Sequence, residues 1–288
     1  MQGFIVQQKI LQAQILMDAL PYIKRYNKKT IVIKYGGAAQ INPVLKEKFA
    51  QDIVLLYLVG IKPVIVHGGG KKINALLDKL EVKSDFVDGL RVTDDQVMEV
   101  VEMVLSGSIN KEITTLLNHH GAKAIGITGK DANFMRARPM ENGKYGLVGD
   151  ITKIDKKVIK NLIREKFIPV IAPIAAGDDL NHPGYNINAD LAASKIAVAL
   201  QAKKIIFLTD TLGVLDKQGE LISSLDTAKI KALKKDGTIS GGMIPKLDAC
   251  LETIHAGVEK AHIIDGRIEH SLLLELFTKD GIGTIIQE

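Results

Sequence analysis

A run of β-branched residues that stops on glycines constrains this chain more than any other feature. Thr30-Ile31-Val32-Ile33-Lys34-Tyr35-Gly36-Gly37 is the first such run. A short apolar β-branched stretch ending at glycines fits a central strand of a parallel sheet, buried on both faces. The paired glycines let the backbone approach a ligand, with N–H groups free to point at phosphate oxygens. A lysine at the carboxyl end of such a strand sits where open α/β sheets bind ligands. On this stretch alone, Lys34 reads equally well as a side chain snorkelling from a strand end.

The pattern recurs along the chain. Lys62-Pro63-Val64-Ile65-Val66-His67 feeds Gly68-Gly69-Gly70, and a helix is predicted from about Lys71. A glycine turn between strand and helix offers N–H groups to an anion, helped by the helix dipole. The spacing is neither that of a Walker A loop nor G-x-G-x-x-G. Further strands are predicted at Ala124–Thr128, at 167–173 and at 204–210. The last of these ends in Thr209 and Asp210, ahead of Gly213. Ser240-Gly241-Gly242-Met243-Ile244-Pro245-Lys246 is another glycine turn into a helix, with a lysine in its first turns. A strand at 262–265, a helix at Ser271–Phe277 and a strand at 283–286 close the chain.

Between these runs lie helix signals. Val6, Ile10, Ala13, Met17 and Leu20 repeat at helical steps, which predicts an amphipathic helix over 6–26 with a kink or break at Pro21. Such a helix either packs on its own domain or reaches for another subunit. Asn42-Pro43 is a capping side chain followed by proline at the first helical position. Thr93 with Gln96 forms a capping-box pattern, opening a helix that carries Val97, Val100, Val101, Val104 and Leu105 inward. Arg91 lies just before it, and its planar fork suits a carboxylate. The stretch 134–153, with Asn142-Gly143 as a turn signal, reads as β-hairpins and as a flap over a site. Tyr185-Asn186-Ile187-Asn188-Ala189-Asp190 leads into an apolar helix over 191–200. Asp190 opens that helix, where any acid is favoured by the dipole.

Composition narrows the function. A chain of 288 residues buries a sizeable core as one large α/β domain or as two lobes. The net charge is +5, but the lysine pairs (Lys28-Lys29, Lys71-Lys72, Lys156-Lys157) are scattered. No basic run is interleaved with aromatics, so a nucleic-acid face is not expected and small anionic ligands are. The single cysteine, Cys250, excludes an internal disulfide and reads as a small core residue. No apolar run is long enough to span a membrane, and the first residues lack signal-peptide features, so a cytoplasmic location is expected. No internal repeat or linker is visible.

Glycine turns, two lysines at strand or helix ends and one isolated acid together point to phosphoryl transfer. That reaction needs the phosphates held in line and the spreading negative charge matched by fixed positive groups. Two lysines flanking the γ-phosphoryl, with an aspartate between them, meet the need. A carboxylate acceptor requires no general base, because it is already ionised at neutral pH.

The chain resembles the acetylglutamate kinases of the amino acid kinase family, from about Thr30 to the C-terminus. The resemblance rests on Ile33-Lys34-Tyr35-Gly36-Gly37, Val66-His67-Gly68-Gly69-Gly70, Gly89-Leu90-Arg91-Val92-Thr93, Asn186-Ile187-Asn188-Ala189-Asp190 and Gly241-Gly242-Met243-Ile244-Pro245-Lys246. It implies a three-layer αβα sandwich with a mostly parallel central sheet. It implies a lobe over 27–177 that binds N-acetyl-L-glutamate, a lobe over 178–288 that binds ATP, and a step of arginine biosynthesis. Lys34 and Lys246 would then stabilise transition-state charge, with Asp190 orienting both. Gly69 and Gly70 would offer N–H groups to the substrate, Arg91 would pair with its carboxylate, and Asn186 with Asn188 would complete its site. Gly36, Gly37, Gly241 and Gly242 would approach ATP, with Thr209, Asp210 and Gly213 near the nucleoside. Mg²⁺ would be held mainly by the ATP phosphates, with no protein metal ligand named.

Ala19-Leu20-Pro21-Tyr22-Ile23 before the first strand resembles the arm of the arginine-inhibited branch. Residues 1–26 would then interlace dimers into a hexamer, a trimer of dimers. Tyr22, His262, Glu275 and Gly281 would form an L-arginine effector pocket. Rival readings are a related kinase acting on glutamate, aspartate, carbamate or a nucleoside monophosphate, a non-catalytic arginine-binding module, and a nucleotide-binding module without catalysis.

Overall fold

The computed structural model describes residues 2–179 and 182–288. The glycine-terminated runs lie at the centre of an eight-stranded sheet. Its strands are β1 (Thr30–Tyr35), β2 (Lys62–His67), β3 (Ala124–Thr128), β4 (Ile168–Ala172), β5 (Lys204–Thr209), β6 (Ser224–Leu225), β7 (Lys260–Asp265) and β8 (Thr284–Ile286). Their order is β6–β8–β7–β5–β1–β2–β4–β3. All neighbours pair in parallel except β7 and β8. β1 has β2 on one side and β5 on the other, so the sheet reverses its direction of growth there. Ligands of open α/β sheets bind outside the carboxyl ends of strands at such a point.

The helices are α1 (Gln2–Tyr26), α2 (Pro43–Leu58), α3 (Gly70–Lys79), α4 (Asp95–Glu102), α5 (Asn110–His119), α6 (Lys156–Arg164), α7 (Ala189–Leu200), α8 (Thr227–Lys235), α9 (Met243–His255) and α10 (Ser271–Phe277). Strand periodicity divides them into two layers. Ile31, Ile33 and Tyr35 pack with α2, α3, α4, α5 and α10. Val32 packs on the opposite side, with α6, α7, α8 and α9. The result is the expected three-layer sandwich. Ile31, Val32 and Ile33 have no exposed surface. Burial of each stabilises the sheet by roughly 1.5–3 kcal/mol. Cys250 is buried in α9. Alternation also sends Lys34 to the side of Val32, toward α7 and α9.

Several local expectations change. α1 begins at Gln2 and continues through Pro21 without a break. Tyr22 and Tyr26, beyond the proline, pack on the core and hold the last turns in place. α4 is capped by Asp94, whose Oδ1 accepts the Val97 N–H, and not by Thr93. The Thr93 hydroxyl donates instead to the Arg91 carbonyl. Asn188 caps α7, so Asp190 falls inside the first turn. Over 134–153, strands Met135–Pro139 and Gly149–Ile154 form the predicted antiparallel hairpin. Phe134, Met135 and Ala137 are buried in the second core layer, so its base is a wall of the fold and not a free flap.

Candidate active site

Three elements bring their charges to one point. β1 presents Lys34 at its carboxyl end. α7 presents Asp190, because Asn188 Oδ1 accepts the N–H groups of Asp190 and Leu191 and fixes where the helix starts. α9 presents Lys246 in its first turns, just after the Gly241-Gly242 turn. Lys34 Nζ lies 3.1 Å from Asp190 Oδ1, and Lys246 Nζ lies 2.5 Å from Asp190 Oδ2. The Phe207 ring of β5 lies under Lys246, 5.5 Å from its ammonium. The lysine side chains are only 15% and 12% exposed, so solvent screens the trio weakly. Burial pushes the Asp190 carboxyl up, but the two ammonium groups outweigh it and hold it down at about 2. The aspartate is therefore an anion that aims two cations.

The glycine turns after β1 and β2 line a cavity of about 330 Å³. Gly36 and Gly37, after β1, and Gly69 and Gly70, after β2, all line it. Gly37 adopts φ +69°, and a Cβ there would lie 2.3 Å from Asp210 Oδ1. That oxygen accepts the Ala38 N–H at 2.7 Å, so the turn has room for glycine alone. Arg91, 7% exposed, also lines the cavity. Its Nη1 donates to Ser84 Oγ at 3.1 Å and its Nη2 to Asn74 Oδ1, and the Phe86 ring covers the guanidinium at 4.6 Å. Asn186 and Asn188 line the same space, and Asn186 Nδ2 donates to Thr93 Oγ1 at 3.2 Å.

The remaining sequence-predicted residues fall elsewhere. Of the three near the end of β5, Asp210 reaches the Gly37 turn. Gly213 is buried, and a Cβ there would lie 2.6 Å from both Leu221 and Thr284, so packing requires its glycine. Gly241 and Gly242 are exposed at the start of α9. Among the described residues no group of three or more metal-ligating side chains is present. Outside the cavity lining, His262 Nδ1 pairs with Glu275 Oε1, and Glu275 Oε2 accepts the N–H groups of Ile282 and Gly283 at 2.8 and 3.1 Å. Gly281 adjoins that carboxylate; a Cβ there would come within 2.6 Å of Oε2. Tyr22 is half-buried on α1 and packs on the core.

Sequence reasoning missed three charges at the cavity wall. Glu112 of α5 receives both Lys46 of α2 and Lys72 of α3. Only Lys72 carried a local signal, its place just after the Gly68–Gly70 turn.

Comparisons with known proteins agree with this geometry. Residues 29–265 match the model of the amino acid kinase family. The chain is 67% identical over 279 residues to a protein named acetylglutamate kinase from Nitratiruptor sp., with 97% of this chain and 98% of that one covered. Among solved structures, one from Streptococcus mutans is 31% identical with a TM-score of 0.77, covering 90% of this chain and 99% of that one. An N-acetylglutamate synthase from Neisseria gonorrhoeae, solved with coenzyme A and N-acetyl-glutamate, is 25% identical with a TM-score of 0.85. The match covers 96% of this chain but spans only 63% of the synthase. A sheet that reverses at β1, glycine turns lining one cavity and 67% identity over nearly the whole length all lead to one assignment: the chain belongs to the amino acid kinase family, and within it to the acetylglutamate kinases.

Proposed function

We propose that the chain transfers the γ-phosphoryl group of ATP to the γ-carboxylate of N-acetyl-L-glutamate, a step of arginine biosynthesis. A carboxylate oxygen bonds to the γ-phosphorus, the bond to the β–γ bridging oxygen breaks, and ADP leaves. The product is N-acetyl-L-glutamyl 5-phosphate, and no proton has to move. The carrying observation is that Lys34 and Lys246 converge on Asp190 beside a cavity that Arg91 lines. Lys34 and Lys246 match the charge that spreads over the migrating phosphoryl group, and Asp190 holds them. Gly69 and Gly70 bind the acceptor through N–H groups, with Asn186 and Asn188 beside them. Gly36, Gly37, Gly241 and Gly242 approach the ATP phosphates, and Thr209, Asp210 and Gly213 lie toward the nucleoside. The acceptor is thus held mainly by the lobe 27–177 and ATP mainly by the lobe 178–288, with Asn186 and Asn188 reaching the acceptor from the second lobe and Gly36 and Gly37 reaching ATP from the first. Asp190 commits both oxygens to lysines, so Mg²⁺ would be held mainly by the ATP phosphates and would there neutralise part of their charge. No helix among the described residues is long and apolar enough to cross a membrane, in keeping with a cytoplasmic place for this reading.

A hydroxamate assay tests the reading: ATP with N-acetyl-L-glutamate, glutamate, aspartate or carbamate as acceptor. Acyl hydroxamate should form fastest with the acetylated substrate. Equal or faster product from an unacetylated acceptor sinks it. Arg91→Ala should raise KM for acetylglutamate about 10- to 100-fold, the value of a charged hydrogen bond, with kcat little changed. Steady-state kinetics at varied acetylglutamate reads both constants.

L-Arginine inhibition through a hexamer is the second part of the proposal. His262, Glu275 and Gly281 lie together, and α10, which carries Glu275, packs against α1. The first half of α1 is exposed at each residue described over 6–18, and Val6, Ile10, Leu11, Ile15, Leu16 and Met17 among them suit burial against other subunits. Deleting residues 1–26 should abolish arginine sensitivity and reduce a hexamer to dimers by light scattering. An unchanged mass and an unchanged response to arginine refute this part.

A further inference from the structure

The short turn after Lys34 is held from both sides of the sheet. It comprises a 3₁₀ turn over Gly37–Gln40. On the β5 side, Asp210 Oδ1 accepts the Ala38 N–H. From within, the Tyr35 hydroxyl donates to the Ala39 carbonyl at 2.6 Å, and the Tyr35 ring stacks on Phe49 at 3.7 Å. On the β2 side the contact is the Gln40 amide. Its Nε2 donates to the Tyr35 carbonyl at 3.0 Å and to the Gly68 carbonyl at 3.1 Å.

Those two carbonyls belong to different halves of the site. Tyr35 leads directly into Gly36-Gly37, the turn read as facing ATP. Gly68 opens Gly68-Gly69-Gly70, the turn read as facing the acceptor. β1 and β2 run in register as far as Tyr35 and His67. The Gly68 N–H closes the ladder on the Tyr35 carbonyl at 2.8 Å. Past that bond both turns line the cavity, and Gln40 itself lines it too. A primary amide nitrogen carries two hydrogens, and here each has a carbonyl to meet. His67 Nδ1 also lies 3.1 Å from the Gly68 carbonyl, but it reaches only the acceptor side.

We propose that Gln40 is a positioning residue that ties the ATP-side turn to the acceptor-side turn and so sets the distance across which the phosphoryl group moves. The inference rests on the function proposed above. Its physical basis is the steep dependence of a two-substrate transfer on alignment, since a misplacement near 1 Å lowers rate by about 10²-fold. Each substrate keeps its own contacts when the tie is cut. Only their relative placement is lost, so the effect belongs in kcat and not in either KM.

Two variants test this, assayed as full-length protein by steady-state kinetics in both substrates. Gln40→Met keeps the length and removes both donors. Gln40→Asn keeps the amide but is a methylene too short to reach both carbonyls. Each should lower kcat by about 10- to 100-fold, with both KM values within about twofold of the wild type. If Gln40→Met fails to fold, Gln40→Asn carries the same prediction alone. A kcat within twofold of wild type overturns the inference. So does a loss that appears as a raised KM for one substrate, which would make Gln40 a direct binding residue. A wild-type enzyme with no activity on acetylglutamate sinks the substrate assignment instead, and the two variants are then compared on the acceptor that the wild type does use.

Discussion

Replacing Lys246 or Lys34 with alanine is expected to lower kcat by about 10²- to 10³-fold while KM for either substrate changes less than about threefold. The reason is the position of each ammonium group. Both stand against the same carboxylate, Lys34 from strand β1 at 3.1 Å and Lys246 from helix α9 at 2.5 Å. A phosphoryl group in flight between ADP and an acyl oxygen gains negative charge on its equatorial oxygens. Fixed cations match that charge more strongly in the transition state than in the bound ground state, and only such a difference raises the chemical rate. Low exposure of the lysines raises the value of each interaction. ADP release at saturating substrates measures the effect. Small and equal changes in kcat and KM for both variants contradict the assigned roles.

Asp190→Asn should be nearly as damaging and should also weaken the fold. The variant leaves two largely buried ammonium groups facing each other without an anion. Breaking a buried ion pair from one side costs about 3–5 kcal/mol. The side chains here keep 12–21% of their exposure, so the lower end applies, at about 3 kcal/mol. Acid should expose the same carboxylate. Its folded pKa is depressed from 3.8 to about 2, so its contribution is complete above 3.8 and is lost as pH falls through that interval. The loss amounts to about 2 kcal/mol in the wild type and is absent in the variant. Urea unfolding at neutral pH and near pH 3 reads both differences, with about half of the acid loss, roughly 1 kcal/mol, expressed by pH 3 and the rest only below the folded pKa. A variant as stable as wild type at neutral pH, with full activity, removes Asp190 from the centre of the site.

Much of this was legible in the chain, for identifiable reasons. Ile31, Val32 and Ile33 announce a strand buried on both faces, and alternation alone puts Lys34 on the opposite face from Ile33. Asn42 announces the start of α2 through a cap that the structure shows, with Oδ1 accepting from Val44 and Leu45. The meeting of Lys34, Asp190 and Lys246 is different in kind. It depends on α7 and α9 packing together on one face of β1, and no local pattern carries that information. There the family resemblance supplied what periodicity could not. Pro21 misled because its intrinsic cost to a helix was outweighed by the packing of Tyr22 and Tyr26 beyond it. Thr93 misled because its hydroxyl found a nearer acceptor in the Arg91 carbonyl. Glu112 and Gln40 left no signal at all. A glutamate on a helix and a glutamine ending a 3₁₀ turn look like solvated residues until their partners, distant in sequence, are in view.

The most direct measurement is the affinity of the enzyme for ADP with aluminium tetrafluoride in the presence of N-acetyl-L-glutamate, compared with its affinity for ADP alone. Aluminium tetrafluoride is a flat anion that stands in for the migrating phosphoryl group. Wild type should gain at least about 100-fold in affinity when the fluoride is added, and Lys34→Ala and Lys246→Ala should lose most of that gain while binding ADP as before. If both variants bind the mimic as tightly as wild type, the two lysines do not share the transferring group.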